Sequence, residues 1–126
     1  VDAIVSAPYV IGALEFLERF YAKLPLFVAS GTPEVELLKI IRRRGMQHYF
    51  AGIHGSPATK AEILNSIIQR NRFSANRVLM IGDAIADLDG AHCAGTAFIA
   101  RSSPDGILFP SSVATISDLT NLPALL

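Results

Sequence analysis

The sequence is short of everything that would take it outside the class of ordinary globular domains. It has one cysteine, Cys93, so no internal disulfide can form, which fits a reducing compartment. Set within a helical pattern, Cys93 reads as a core residue. Charge of either sign is not in excess: Lys and Arg total 11, Asp and Glu total 11. With no net field to recruit a polyanion, neither a nucleic acid nor an anionic membrane is expected as partner. No apolar run approaches the roughly 20 residues of a membrane-spanning helix, and the first residues lack the basic flank and apolar stretch of a signal peptide. The expectation is a soluble, cytoplasmic protein. Its 126 residues, 51% of them hydrophobic, suit one domain with a sizeable core.

What is present is organised around Val78-Leu79-Met80-Ile81-Gly82-Asp83-Ala84-Ile85-Ala86-Asp87-Leu88-Asp89. Four apolar β-formers in a row describe a strand buried on both faces, as in a parallel sheet with helices above and below. A helical pattern follows, with Leu88, Ala91 and Ala94 in phase and Gly95 as the stop, so Asp83 falls on the carboxyl edge of the sheet, where open α/β sheets bind ligands. Asp83 and Asp87, four residues apart, can converge on a hard cation such as Mg²⁺. Equally, Asp83 can be a helix N-cap, with Asp87 and Asp89 answering the helix macrodipole.

The same unit recurs along the chain. Residues 1–9 show no clean period and read as a lead-in broken by Pro8. Ile11, Leu14, Leu17, Phe20 and Tyr21 predict an amphipathic helix ending near Lys23. Leu26-Phe27-Val28-Ala29 is a second apolar strand running into Ser30-Gly31-Thr32-Pro33, where Thr32 is expected to cap a helix opened by Pro33. That helix should bury Val35, Leu38 and Ile41, and it closes with Arg42-Arg43-Arg44-Gly45, cations at the negative end of the dipole and then a glycine stop. A weaker strand spans residues 50–55. Thr59-Lys60-Ala61-Glu62 has capping-box spacing, and Ile63, Leu64, Ile67 and Ile68 form the buried face of the next helix. Residues 96–100 and 113–116 predict two more strands, and 118–126 a short terminal helix. Strands alternating with helices over the whole length predict a doubly wound α/β/α sandwich with a mostly parallel sheet.

The carboxyl edge of such a sheet would gather Ser30, Gly31, Lys60, Asp83 and Asp87, with Arg101 as a neighbour. A hydroxyl, a backbone turn, an ammonium and two carboxylates suit phosphoryl transfer, which is mostly positioning and charge neutralisation. Each has a plainer reading. Ser30 can be a turn serine. Lys60 at a helix start opposes the macrodipole at a cost of about 0.3–1 kcal/mol, so a merely solvated lysine is slightly out of place there. His48, His54 and His92 lack the spacing of a zinc site.

Taken in order, Phe27-Val28-Ala29-Ser30-Gly31-Thr32-Pro33, Gly55-Ser56-Pro57-Ala58-Thr59-Lys60 and Ile81-Gly82-Asp83-Ala84-Ile85-Ala86-Asp87 with Ala91-His92-Cys93-Ala94-Gly95 resemble the haloacid dehalogenase (HAD) superfamily, phosphoglycolate-phosphatase-like branch. The resemblance covers nearly the whole chain. It implies a Rossmann-like sheet and a Mg²⁺-dependent phosphomonoesterase working through an aspartyl-phosphate on a small phosphorylated metabolite. Ser30 and Gly31 would hold phosphate, Lys60 would stabilise the phosphoryl intermediate, Asp83 would bind Mg²⁺, and Asp87 would support the metal shell or Lys60. The segment Ala7 to Leu14 is similar to the return from the cap domain to the core. The family's Asp-x-Asp motif has no match here, so residues 1–126 are expected to be a single partial core domain without cap and nucleophile strand, inactive alone. A phosphomutase is kept open, a metal-free dehalogenase ranks below both, and a non-catalytic α/β module binding a phosphate-bearing ligand or a protein is the alternative. In the resembled fold the missing strand lies between Leu26–Ala29 and Val78–Ile81. The gap would close by direct pairing of these strands, by residues 1–7 filling it, or by self-association or pairing with the missing amino-terminal segment.

Overall fold

A strand apolar on both sides must find both backbone partners and two apolar layers, and this chain provides them in a six-stranded sheet. The computed structural model describes residues 2–6, 18, 21–101 and 115–116. The strands are β1 (Ala3–Ser6), β2 (Leu26–Pro33), β3 (Gly52–Ser56), β4 (Val78–Gly82), β5 (Ala97–Arg101) and β6 (Thr115–Ile116). Every pairing is parallel and the order is β3-β2-β1-β4-β5-β6. The helices are α1 (Glu34–Arg43), α2 (Lys60–Asn71) and α3 (Ile85–Ala94). The terminal helix and, except for Glu18, residues 10–20 of the first predicted helix lie outside the described residues, residues 21–23 form a turn rather than a helix end, and none of the described helices is long and apolar enough to cross a membrane.

Alternation along the strands splits the core in two. Ile4, Leu26, Val28, Leu79 and Ile81 face Leu37 and Ile41 of α1. On the opposite face, Ala3, Val5, Phe27, Ala29 and Met80 meet Ile63, Leu64 and Ile67 of α2 and Ala91 of α3. This is the three-layer sandwich predicted from the alternation of elements. Thr59 caps α2, its hydroxyl accepting from the Glu62 N–H at 3.2 Å while Glu62 Oε1 accepts from the Thr59 N–H at 3.0 Å. Gly45, at φ +64, follows the arginines, a left-handed conformation that favours glycine.

Four local expectations are corrected. Thr32 caps nothing: Pro33 stands at the N-cap of α1 without a side-chain hydrogen bond, and the Thr32 N–H instead donates to Ser30 Oγ. Leu37 and Ile41, not Val35, are the buried face of α1, leaving Val35 68% exposed. Leu37 and Ile41, four residues apart, share the face that packs on the sheet, and Val35 lies off it. Cys93 is exposed, because α3 turns Leu88 and Ala91 inward. Residues 1–9 are not simply a lead-in: Ala3–Ser6 forms the central strand.

Of the three ways to close the central gap, the chain uses its own residues. Ser6 pairs with Val28 on one side and Ile81 on the other. A latch at the amino end fixes the register. The Asp2 N–H donates to Arg77 O at 2.6 Å, Arg77 Nε donates to Asp2 Oδ1 at 2.9 Å, and the Ser74 N–H reaches Asp2 Oδ2 at 3.4 Å. The Arg77 hydrogen bond holds the Asp2 carboxyl below its ordinary value of 3.8. A carboxyl lowered in this way stabilises the fold above its unfolded value, and that contribution disappears as pH falls through the folded value.

Ile4 is 2% exposed in the core shared with α1, so Ile4→Ala should cost about 2–5 kcal/mol in urea unfolding. A lead-in segment lying outside the sheet would lose almost nothing.

Candidate functional site

The winding of the chain sets the site's location. From β1 it runs outward through β2 and β3, then returns to β4 on the other side of β1, and α/β sheets bind ligands at the carboxyl ends beside such a reversal. Ser30 lies two residues beyond Val28 and Asp83 two beyond Ile81, and both of those pair with Ser6. Ser30 and Asp83 are therefore level, flanking the carboxyl end of β1, with Cα atoms about 10 Å apart across two strand spacings. Ser30 is 5% exposed; its hydroxyl accepts from the Thr32 N–H at 3.0 Å and retains its own proton for donation. Beside it, a Cβ at Gly31 would meet nothing within 4 Å, so the space next to that amide is open.

Lys60 is the first residue of α2, and two partners draw its ammonium toward the sheet. Nζ donates to Ala29 O at 2.9 Å and lies 2.7 Å from Asp87 Oδ1. An ammonium has three donors; one goes to Ala29 O, and Asp87 meets the charge. The cost of a cation at a helix start is offset by Asp87. That carboxylate, 1% exposed, is wholly committed. Oδ2 accepts from the N–H groups of Asp83 and Ala84, each at 3.1 Å, while Oδ1 pairs in charge with the Lys60 ammonium at 2.7 Å without a well-aligned hydrogen bond among the described residues.

The two carboxylates named as cation ligands have different described partners. Asp87 faces Lys60 and the turn before α3, while half-buried Asp83 is left at the edge. Asp83 does not cap α3 either, since Ala84 holds that position and Asp87 reaches back to the backbone. Among the described residues no group of three or more His, Cys, Asp or Glu could hold a metal. Arg101 closes β5, two strands from β1.

Sequence reasoning missed the part played by glycine. A Cβ at Gly82 would fall on the side chain of Asp87, and one at Gly90 would come within 2.6 Å of Lys60 Cβ. The first glycine lets Asp87 fold back over the strand end and the second lets α3 approach α2. The Gly-Asp-x-x-x-Asp spacing contained the first of these; the Gly90 contact joins residues 30 positions apart and has no local signal.

The family model for haloacid dehalogenase-like hydrolases matches residues 6–101. The chain belongs to that family. A search of the curated proteins finds no match. Among solved structures, the HAD fold here is similar to the core domain of a protein named as a phosphoglycolate phosphatase from Streptococcus pneumoniae. The TM-score is 0.76 at 17% identity, over 98% of this chain and 93% of that one. The HAD hydrolase YfnB of Bacillus subtilis, described as bound to magnesium, gives 0.77 at 25% identity over 93% of this chain and 54% of its own. A protein named as a β-phosphoglucomutase from Thermotoga maritima gives 0.69 at 21%, over 94% and 58%. This HAD chain thus spans little more than half the length of the last two.

Gly82→Ala should mimic the loss of Asp87 without removing any functional group. Overpacking at Gly82 should cost about 1–3 kcal/mol, and Asp87→Ala about 3–5 kcal/mol by stranding Lys60. Asp83→Asn should stay within about 1 kcal/mol of the parent. Thermal and urea unfolding of the three variants check this order.

Proposed function

We propose that this domain supplies the phosphate clamp and the cation ligand of a phosphomonoester hydrolase. The observation that carries the reading is the Lys60 ammonium, fixed between Ala29 O and Asp87 in a cavity that Ser30 and Gly31 also line. Lys60, Ser30 and the Gly31 amide would hold the phosphoryl oxygens of a small phosphorylated metabolite. Because Asp87 is occupied, Asp83 is the carboxylate that would hold Mg²⁺, with phosphate oxygens and water completing a shell of the kind this ion prefers. When bound, the cation would neutralise charge on the transferring group. Lys60 would do the same from the opposite side, and its ion pair keeps it from turning away when the site is empty.

The covalent step is not carried by the residues described. β1, the strand at the centre of the site, reads Ala3-Ile4-Val5-Ser6 and ends without a carboxylate. This favours a second reading, a domain that binds phosphate-bearing ligands without turning them over. Activity on an aryl phosphate with Mg²⁺ separates the two in the intact protein. The 126-residue chain alone should show no turnover; turnover that survives repurification and vanishes in Asp83→Asn would mean another nucleophile is present.

Binding offers an independent measurement. Mg²⁺ should tighten the association of inorganic phosphate with the purified chain in calorimetry, and Asp83→Asn should abolish that linkage. Lys60→Met should weaken phosphate about tenfold with or without Mg²⁺, as expected for one hydrogen bond to a charged group. Phosphate binding that is indifferent to both substitutions would remove the basis of the proposal.

A further inference from the structure

Arg101 is the charged group at the edge that the clamp leaves unused. Gly82 pairs with Ala100, so Asp83 and Arg101, one residue further on, stand level on adjacent strands with Cα atoms about 5 Å apart. Ile81 and Ile99 lie in the core shared with α1. Asp83 and Arg101 each follow two residues later, so alternation sends both toward that side of the sheet. Arg101 is half-buried, and among the described residues neither it nor Asp83 takes part in an ion pair. The edge thus holds its charges in two couples. Lys60 and Asp87 are in contact at 2.7 Å, whereas Asp83 and Arg101 are neighbours with no ion pair between them.

We propose that Arg101 is a positioning residue that sets the cation affinity of Asp83, keeping it low until phosphate is present. The inference rests on the clamp reading and adds to it how cation and phosphate come to enter together. A guanidinium is permanently charged, and its field at a neighbouring half-buried carboxylate is only partly screened by water and salt. With no ligand bound, Arg101 balances the Asp83 carboxylate, so a divalent cation arriving alone meets repulsion. A phosphate dianion reverses this by bringing negative charge that Arg101 and the cation both favour. Mg²⁺ and phosphate together add no net charge to the edge, while either one alone leaves it unbalanced.

Calorimetry on the purified chain separates this role from a structural one, because the two ligands should respond in opposite directions. Arg101→Gln should tighten Mg²⁺, measured without phosphate, about tenfold and weaken inorganic phosphate, measured without Mg²⁺, about threefold, the larger effect falling on the divalent ion next to it. Arg101→Lys keeps the charge and should stay close to the parent for both ligands. Arg101→Met keeps the apolar stem and should repeat the Arg101→Gln result, which covers a folding defect in that variant. Unchanged Mg²⁺ affinity on loss of the guanidinium, or both ligands weakening together, overturns the role of Arg101 while leaving the clamp intact. If neither ligand binds the parent chain, the clamp reading falls and the inference falls with it.

Discussion

The site depends on one buried carboxylate. Asp87 does three things at once: it fixes the Lys60 ammonium, satisfies the Asp83 and Ala84 amides ahead of α3, and joins α2 to the end of β4. A charge 1% exposed is tolerated only when its partners are complete, and here both oxygens are engaged. Lys60 in turn is bonded to the carbonyl preceding Ser30. The strand ends of β2 and β4, on either side of the central strand, are thereby linked through one ion pair, and the Lys60 ammonium is held in position.

That linkage needs the two strands at the correct separation, which is the work of β1. Its four residues are buried and supply the backbone partners that β2 and β4 would otherwise lack. Asp2 explains why this segment sits in register, because its carboxylate and amide hold Arg77 and Ser74 just ahead of β4. The arrangement places Ser30 and Asp83 level on either side of β1. The strand between them, Ala3–Ser6, carries no carboxylate.

Much of this was legible in the residue order. Continuous apolar runs separated by amphipathic helices can be satisfied only by a doubly wound sheet, and a strand that ends in Ser-Gly or Gly-Asp must put those residues on the carboxyl edge. The capping box at Thr59 and the glycine stop at Gly45 are local hydrogen-bonding and dihedral requirements, readable without knowing the fold. The face buried by α1 was not readable, since Val35, Leu37, Leu38 and Ile41 fit more than one phase and only packing against the sheet decides among them. Cys93 lies off the Leu88–Ala91 face that α3 buries.

What the sequence by itself determined is the class of the sheet, the order of its elements and the set of groups brought to one edge, because these follow from periodicity and from the fixed direction of parallel strands. Tertiary structure decided the rest. Which cationic side chain Asp87 meets and whether Ala3–Ser6 lies inside the sheet or outside it both turn on distances between residues far apart in the chain. Lys60 and Asp87 are 27 positions apart, Asp2 and Arg77 are 75 apart, and no local pattern encodes their meeting. An ion pair or a strand pairing of that kind is set by the packing of both core faces at once, and only the folded chain fixes it.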